Sequence, residues 1–203
     1  MKILILGGFL GSGKTSVVIQ LARYIVGNNP ENATKVVIID NEIGEVSIDD
    51  KVLRGDGYEV ANMFSGCVCC TMSGELVIGL HNIMRDFNPK LIIMEATGVA
   101  YPHNIRETIT QSMPNVDCVV TCITDAKRWK RLIRPMEMLL KDQLYAADVI
   151  LINKVDLVDE STLAEVETSI KTFNDIANFF KISAEKQIDI KVFDAMLGNS
   201  KGA

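Results

Sequence analysis

Short apolar runs alternate with longer stretches in which apolar residues recur every three or four positions. The runs at Ile3–Leu6, Val36–Ile39, Leu91–Met94, Cys118–Ile123, Val149–Ile152 and Phe179–Ile182 are rich in Ile, Leu and Val and bounded by polar or turn residues. That pattern predicts buried strands. Between them, Leu76, Leu80, Ile83, Met84 and Phe87 share one helical stripe, and Leu163, Val166, Ile170 and Phe173 another. Asp159 or Ser161 is placed to cap the second helix, and Pro135 to start or kink a helix within residues 128–147. Strand and helix in alternation predict an α/β fold, a mostly parallel sheet flanked by helices in three layers. The chain reads as a single domain over residues 1–198 with a short polar tail, 199–203.

Composition narrows this picture. Of 203 residues, 48% are hydrophobic but only 6% aromatic, which suits aliphatic parallel strands. The formal net charge of -5 argues against a dedicated nucleic-acid binder. No run of eighteen apolar residues suggests a membrane span. The opening "MKILILGG" reads as a first strand rather than a signal peptide, which makes the cytoplasm the expected compartment. Five cysteines, three of them clustered, do not resemble a disulfide framework.

The first strand runs into "GGFLGSGKTS", which holds the P-loop spacing Gly8-x-x-x-x-Gly13-Lys14-Thr15 ahead of a helical stripe (Val17, Val18, Leu21, Ile25). Glycines 8, 11 and 13 let backbone N–H groups, including those of Ser12 and Ser16, surround a phosphate at the positive end of a helix. Lys14 is placed to reach the β- and γ-phosphates and the Thr15 hydroxyl to ligate Mg²⁺. After the fifth run comes "NKVD". Asp156 suits the N1–H and 2-amino donors of guanine, which adenine lacks. Asn153 suits the O6/N7 edge, and the Lys154 stem can cover the base. In "SAE", Ser183 and Ala184 begin a loop whose N–H can complete the O6 contact. The expected nucleotide is GTP. In "LIIMEATG", Glu95 ends a strand as a candidate Mg²⁺ group, and Gly98 allows close approach to a γ-phosphate.

Together "GGFLGSGKTS", "IDNEIGEVSIDD", "FSGCVCCTMSGEL", "EATGVAYP" and "NKVD" resemble the CobW-type GTPases, the metallochaperone group that includes UreG and HypB. The resemblance spans residues 7–156. It implies a P-loop NTPase fold, GTP hydrolysis and divalent-metal binding at the CxCC segment. It also implies a client metalloprotein or cofactor-dependent enzyme and a nucleotide-dependent homodimer. It makes residues 40–50 a switch segment, with Asp40 and Glu42 as Mg²⁺ or water-orienting groups and Glu45 as an oxygen ligand to a second metal. Family members carry a further C-terminal domain. Here about twenty residues follow "SAE", which reads as a short form or a truncation.

Cys67, Cys69 and Cys70 offer soft ligands suited to Zn²⁺ or Cu⁺. Cys118 and Cys122 share one face of a strand and read as core residues. The cluster thus lacks a fourth protein ligand of its own, which suits a carrier that must release its metal. Slow hydrolysis is expected, because no cis arginine is evident. Arg128, Arg131 and Arg134 in "KRWKRLIR" could act in trans but read as a solvated helix face. Two alternatives remain: a GTP-dependent protein-binding switch with a structural metal, and quality control of a cobalamin enzyme.

Overall fold

The structure, a computed structural model, describes residues 1–28, 36–40, 59–62 and 73–199. Among these, seven strands form one sheet: β1 (Lys2–Gly7), β2 (Val36–Asp40), β3 (Glu59–Asn62), β4 (Leu91–Glu95), β5 (Asp117–Asp125), β6 (Val149–Asn153) and β7 (Asn178–Lys181). Their order is β3-β2-β4-β1-β5-β6-β7, and every recorded pairing is parallel. All six strands expected from the apolar runs are present, each within two residues of the expected bounds. The seventh, β3 with sequence EVAN, has too little apolar character to stand out.

The helices are α1 (Lys14–Asn28), α2 (Ser73–Phe87), α3 (Pro102–Ser112), α4 (Trp129–Leu132), α5 (Glu137–Leu144), α6 (Glu160–Lys171) and α7 (Ile190–Met196). Pro135 falls between α4 and α5, where its ring and missing N–H break the helix. Asp159 is the cap of α6, accepting from the Thr162 N–H at 2.7 Å.

Period-two alternation sends successive strand residues to opposite faces. Ile3, Ile5, Ile92, Met94, Val120 and Ile150 pack with Leu80 of α2, Ile109 of α3, Leu144 of α5 and Ile170 of α6. Leu4, Leu6, Ile93, Ile123 and Leu151 pack on the other face with Leu21 of α1 and Phe193 of α7. The sheet is therefore the middle of three layers. Cys118 and Cys122 join the first cluster, as their even spacing predicts. Burial pushes the Cys122 thiol up to about 12 and that of Cys118 to about 11, so both stay protonated at neutral pH.

The register fixes where a ligand can sit. Leu6 pairs with Glu95, Asp40 with Glu95, Gly7 with Cys122, and Asp125 with Asn153. The carboxyl ends of β1, β2, β4, β5 and β6 therefore share one edge. In open α/β sheets that edge is where ligands bind. No helix among the described residues is long and apolar enough to cross a membrane.

Candidate functional site

The loop between β1 and α1 turns at Phe9, where the Ser12 N–H returns to the Phe9 carbonyl at 3.1 Å. The first bond of the following helix runs from Val17 N–H to Gly13 O at 3.2 Å. The N–H groups of Lys14, Thr15 and Ser16 therefore have no partner within the helix, as in any first turn. They form a cradle at its positive end. Gly8, Gly11 and Gly13 all have positive φ. At Gly8, φ 135°, a Cβ would strike the Ile123 carbonyl oxygen, and at Gly13, φ 102°, it would strike the Asn153 amide nitrogen. Lys14 is buried, with 4% of its surface exposed.

Three consecutive carbonyls of this loop are each capped by a side chain from the β5 and β6 ends. Arg128 Nη2 donates to Leu10 O at 2.6 Å, Lys154 Nζ to Gly11 O at 2.7 Å and Asn153 Nδ2 to Ser12 O at 2.8 Å. Lys154 and Arg128 also meet on one carboxylate. Asp125 Oδ2 accepts from Lys154 Nζ at 2.7 Å and from Arg128 Nε at 2.6 Å, and Asp125 Oδ1 accepts from the Arg128 N–H at 3.0 Å. Burial alone would raise the Asp125 carboxyl. The partners Lys154 and Arg128 outweigh it and bring the carboxyl below its ordinary range. Arg128 is thus no solvated helix face. It pairs within its own chain and lies on the P-loop, whereas Arg131 and Arg134 are exposed.

Asn153 ties three loops together. Its amide holds Ser12 O, while its Oδ1 accepts from the Lys154 N–H at 2.7 Å and the Ala184 N–H at 2.9 Å. Asn153 thereby fixes the start of the Ser183-Ala184 loop, the loop expected to supply an N–H to a base. Lys154 adopts a left-handed backbone with φ 64°, a strained choice costing about 1–3 kcal/mol that its two Nζ contacts help to hold. Asp156 is exposed, and its carboxyl is drawn below the usual range chiefly by the neighbouring Ser183 hydroxyl. Gln20 of α1 holds the same loop from behind. Its Nε2 donates to Ala184 O at 2.8 Å and Lys186 O at 3.0 Å, and its Oε1 accepts from the Ile188 N–H at 3.1 Å.

On the other side of the P-loop, Thr15 Oγ1 donates to Glu95 Oε1 at 3.0 Å. Two neighbouring ligands of an octahedral Mg²⁺ at 2.0–2.1 Å lie roughly 2.9 Å apart, so this oxygen pair fits that ion. Gly98 follows closely. Its missing Cβ would lie 2.7 Å from the Leu10 nitrogen, so only glycine allows the loop after β4 to touch the P-loop tip. Gln143 of α5 clamps that loop, donating to Gly98 O at 3.0 Å and Ala100 O at 3.2 Å while itself 2% exposed. The hydroxyl oxygens of Ser12 and Thr97, on the loops flanking this space, are buried and unpartnered. Orphaned polar atoms of this kind mark a place where a polar ligand belongs.

Asp125, Gln143 and Gln20 were not singled out from sequence. A charged or amide residue embedded in an apolar stripe, as Gln143 is among Leu140 and Leu144, is the signal that could have found them. Of the other expected residues, the strand position of Asp40 is described, beside Glu95 and Asn62. Glu42, Glu45, Cys67, Cys69 and Cys70 lie outside the described residues. Within the described residues, no three His, Cys, Asp or Glu side chains gather into a metal site.

Comparison with known proteins gives a consistent match. The family model described as "CobW/HypB/UreG, nucleotide-binding domain" matches residues 2–181. A zinc-regulated GTPase metalloprotein activator 1 from Dictyostelium discoideum is 28% identical over 89% of this chain and 45% of its own length. A zinc chaperone CobW from Sinorhizobium sp is 30% identical over 83% of this chain and 54% of its own. The chain thus spans about half the length of these curated relatives. The crystal structure of Zn(II)-bound YjiA GTPase from E. coli superposes with a TM-score of 0.64 at 21% identity, covering 98% of this chain and 62% of that one.

Proposed function

This chain is a P-loop GTPase domain of the CobW/HypB/UreG family, and we propose that it hydrolyses GTP to GDP and phosphate and couples that cycle to zinc binding at its CxCC segment. The observation that carries the nucleotide half is the convergence on one sheet edge of the P-loop, the Thr15–Glu95 oxygen pair and the Asn153-Lys154 and Ala184 loops. Lys14 neutralises the transferring phosphoryl oxygens. Thr15 and Glu95 would hold Mg²⁺, which would supply charge stabilisation at the phosphates. Asp156 reads guanine, Asn153 and Lys154 shape the base site, and Ser183 and Ala184 close it. Asp40 and Glu42 complete the acidic surround.

The metal half rests on the thiol spacing and on topology. Cys67, Cys69 and Cys70 follow β3, whose last residue, Asn62, pairs with Asp40, itself paired with Glu95. At about 4.8 Å per strand, the chain therefore leaves the sheet roughly 10 Å from Glu95. Three thiolates with Glu45 or another oxygen suit Zn²⁺ and leave the ion exchangeable. The names of the relatives, zinc chaperone and zinc-regulated activator, support zinc as cargo for a client metalloprotein. A nucleotide-dependent homodimer and a cytoplasmic location belong to the same reading.

The test is zinc stoichiometry and affinity for the chain saturated with a slowly hydrolysed GTP analogue, against the chain saturated with GDP. One tightly bound Zn²⁺ per chain that is lost on Cys67→Ser, Cys69→Ser or Cys70→Ser supports cargo binding, and a weaker GDP state supports coupling. Zinc binding that none of the three substitutions alters would overturn the metal half and leave the GTPase half standing.

A further inference from the structure

Two of the three P-loop carbonyl caps come from the same segment, Asn153 and Lys154. The third, Arg128, comes from a different place, the turn between β5 and α4. Its guanidinium is fixed at two points. Nε is held by Asp125 at 2.6 Å, and Nη2 donates to Leu10 O at 2.6 Å. An ideal Cβ on Gly11 would lie 3.2 Å from that Nη2, so the guanidinium lies along the loop rather than reaching away from it. Asp125 itself is 4% exposed and has no solvent-facing role. Its two oxygens are occupied by the Arg128 backbone and side chain and by Lys154.

The consequence follows from peptide geometry. The C=O of Leu10 and the N–H of Gly11 belong to one planar trans unit and point in opposite directions. A donor that fixes the carbonyl outward therefore fixes the amide inward. Gly11 sits at φ 70° with no side chain to restrict it, so the orientation of this unit depends on what holds its carbonyl. A charge-assisted bond of 2.6 Å is strong enough to hold it. The P-loop amides are what recognise the diphosphate.

We propose that Arg128, held in place by Asp125, is a positioning residue for recognition of the β-phosphate: by capping the Leu10 carbonyl it aims the Gly11 N–H into the phosphate cradle. It acts on the loop from outside the nucleotide and in cis. Lys154, the other partner of Asp125, caps the next carbonyl of the loop, Gly11 O, and belongs to the segment proposed to shape the base site, so Asp125 serves both sides while Arg128 serves the loop alone. The inference rests on the guanine-nucleotide reading above.

The experiment compares affinities for GMP, GDP and GTP by calorimetry, since GMP lacks the β-phosphate. In Arg128→Ala, GDP and GTP bind about tenfold more weakly, the loss of one charge-assisted hydrogen bond, while GMP stays within twofold. Arg128→Lys, which keeps a single cationic donor, regains part of the loss. Asp125→Asn weakens all three nucleotides, because it releases Lys154 as well. An unchanged preference for GDP over GMP in Arg128→Ala, with the unsubstituted chain binding GDP, would overturn the proposal. An equal loss for all three nucleotides in both Arg128→Ala and Arg128→Lys would also overturn it, since it would assign the residue to general stability. Failure of the unsubstituted chain to bind GDP at all would overturn the nucleotide reading and this inference with it.

Discussion

At Gly13 the site allows no side chain: φ is 102° and the Asn153 amide occupies the place of a Cβ. Gly13→Ala is expected to lower GDP affinity at least about tenfold by displacing the Asn153 tie, measured by calorimetry on protein whose thermal unfolding is checked in parallel. In the proposed reading, base choice depends on Asp156, whose carboxylate would accept two hydrogen bonds from guanine. Asp156→Ala is expected to reduce GTP affinity by about 100-fold or more while leaving the already weak ATP binding as it was. Competition of each nucleotide against a fluorescent GDP measures both. Gln143 carries a stability prediction. Gln143→Leu leaves the carbonyls of Gly98 and Ala100 buried without their donor, and is expected to cost about 1–3 kcal/mol in urea unfolding.

The layers join through apolar contacts, but the loops at the carboxyl edge of the sheet join at carboxylates and amides. Asp125 connects the end of β5 with the P-loop through Arg128 and with the segment after β6 through Lys154. Its folded pKa is depressed, so its stabilisation is fully present above the unfolded value near 4 and is lost as pH falls through the lower folded value. Thermal unfolding followed from about pH 5 to pH 2 should therefore fall less steeply for Asp125→Asn than for the unsubstituted chain. What was legible beforehand follows the same division. The apolar runs of β1, β2, β4, β5, β6 and β7 are local signals, so their positions could be read from the chain. The P-loop, Glu95 and NKVD motifs could be read because their spacing is local too. The pairing of Arg128 with Leu10 O spans 118 positions and that of Gln143 with Gly98 O spans 45. Nothing in either neighbourhood encodes them. Arg128 looked like one cation among several on a helix surface, and only the register of Asp125 with Asn153 brings it to the P-loop. The strand β3 was missed because its four residues carry little apolar periodicity.

For the whole molecule, the all-parallel order β3-β2-β4-β1-β5-β6-β7 puts β1 at the centre. The strands β2 and β4 lie on one side of it and β6 and β7 on the other. The P-loop between them is touched from both sides, by Gly98 at Leu10 and by Arg128, Lys154 and Asn153 at the carbonyls. In the account proposed here, a γ-phosphate bound against the loop after β4 would be felt at the same loop tip that Asp125 steadies. The central claim is that this edge of the sheet is a guanine-specific hydrolytic site. The most direct measurement is phosphate release from GTP by the purified chain with Mg²⁺, in the presence of excess ATP and beside Lys14→Ala. The account predicts slow release, on the order of 10⁻⁴ to 10⁻³ per second, undiminished by ATP and absent in Lys14→Ala. Release suppressed by ATP, or retained in Lys14→Ala, would contradict it.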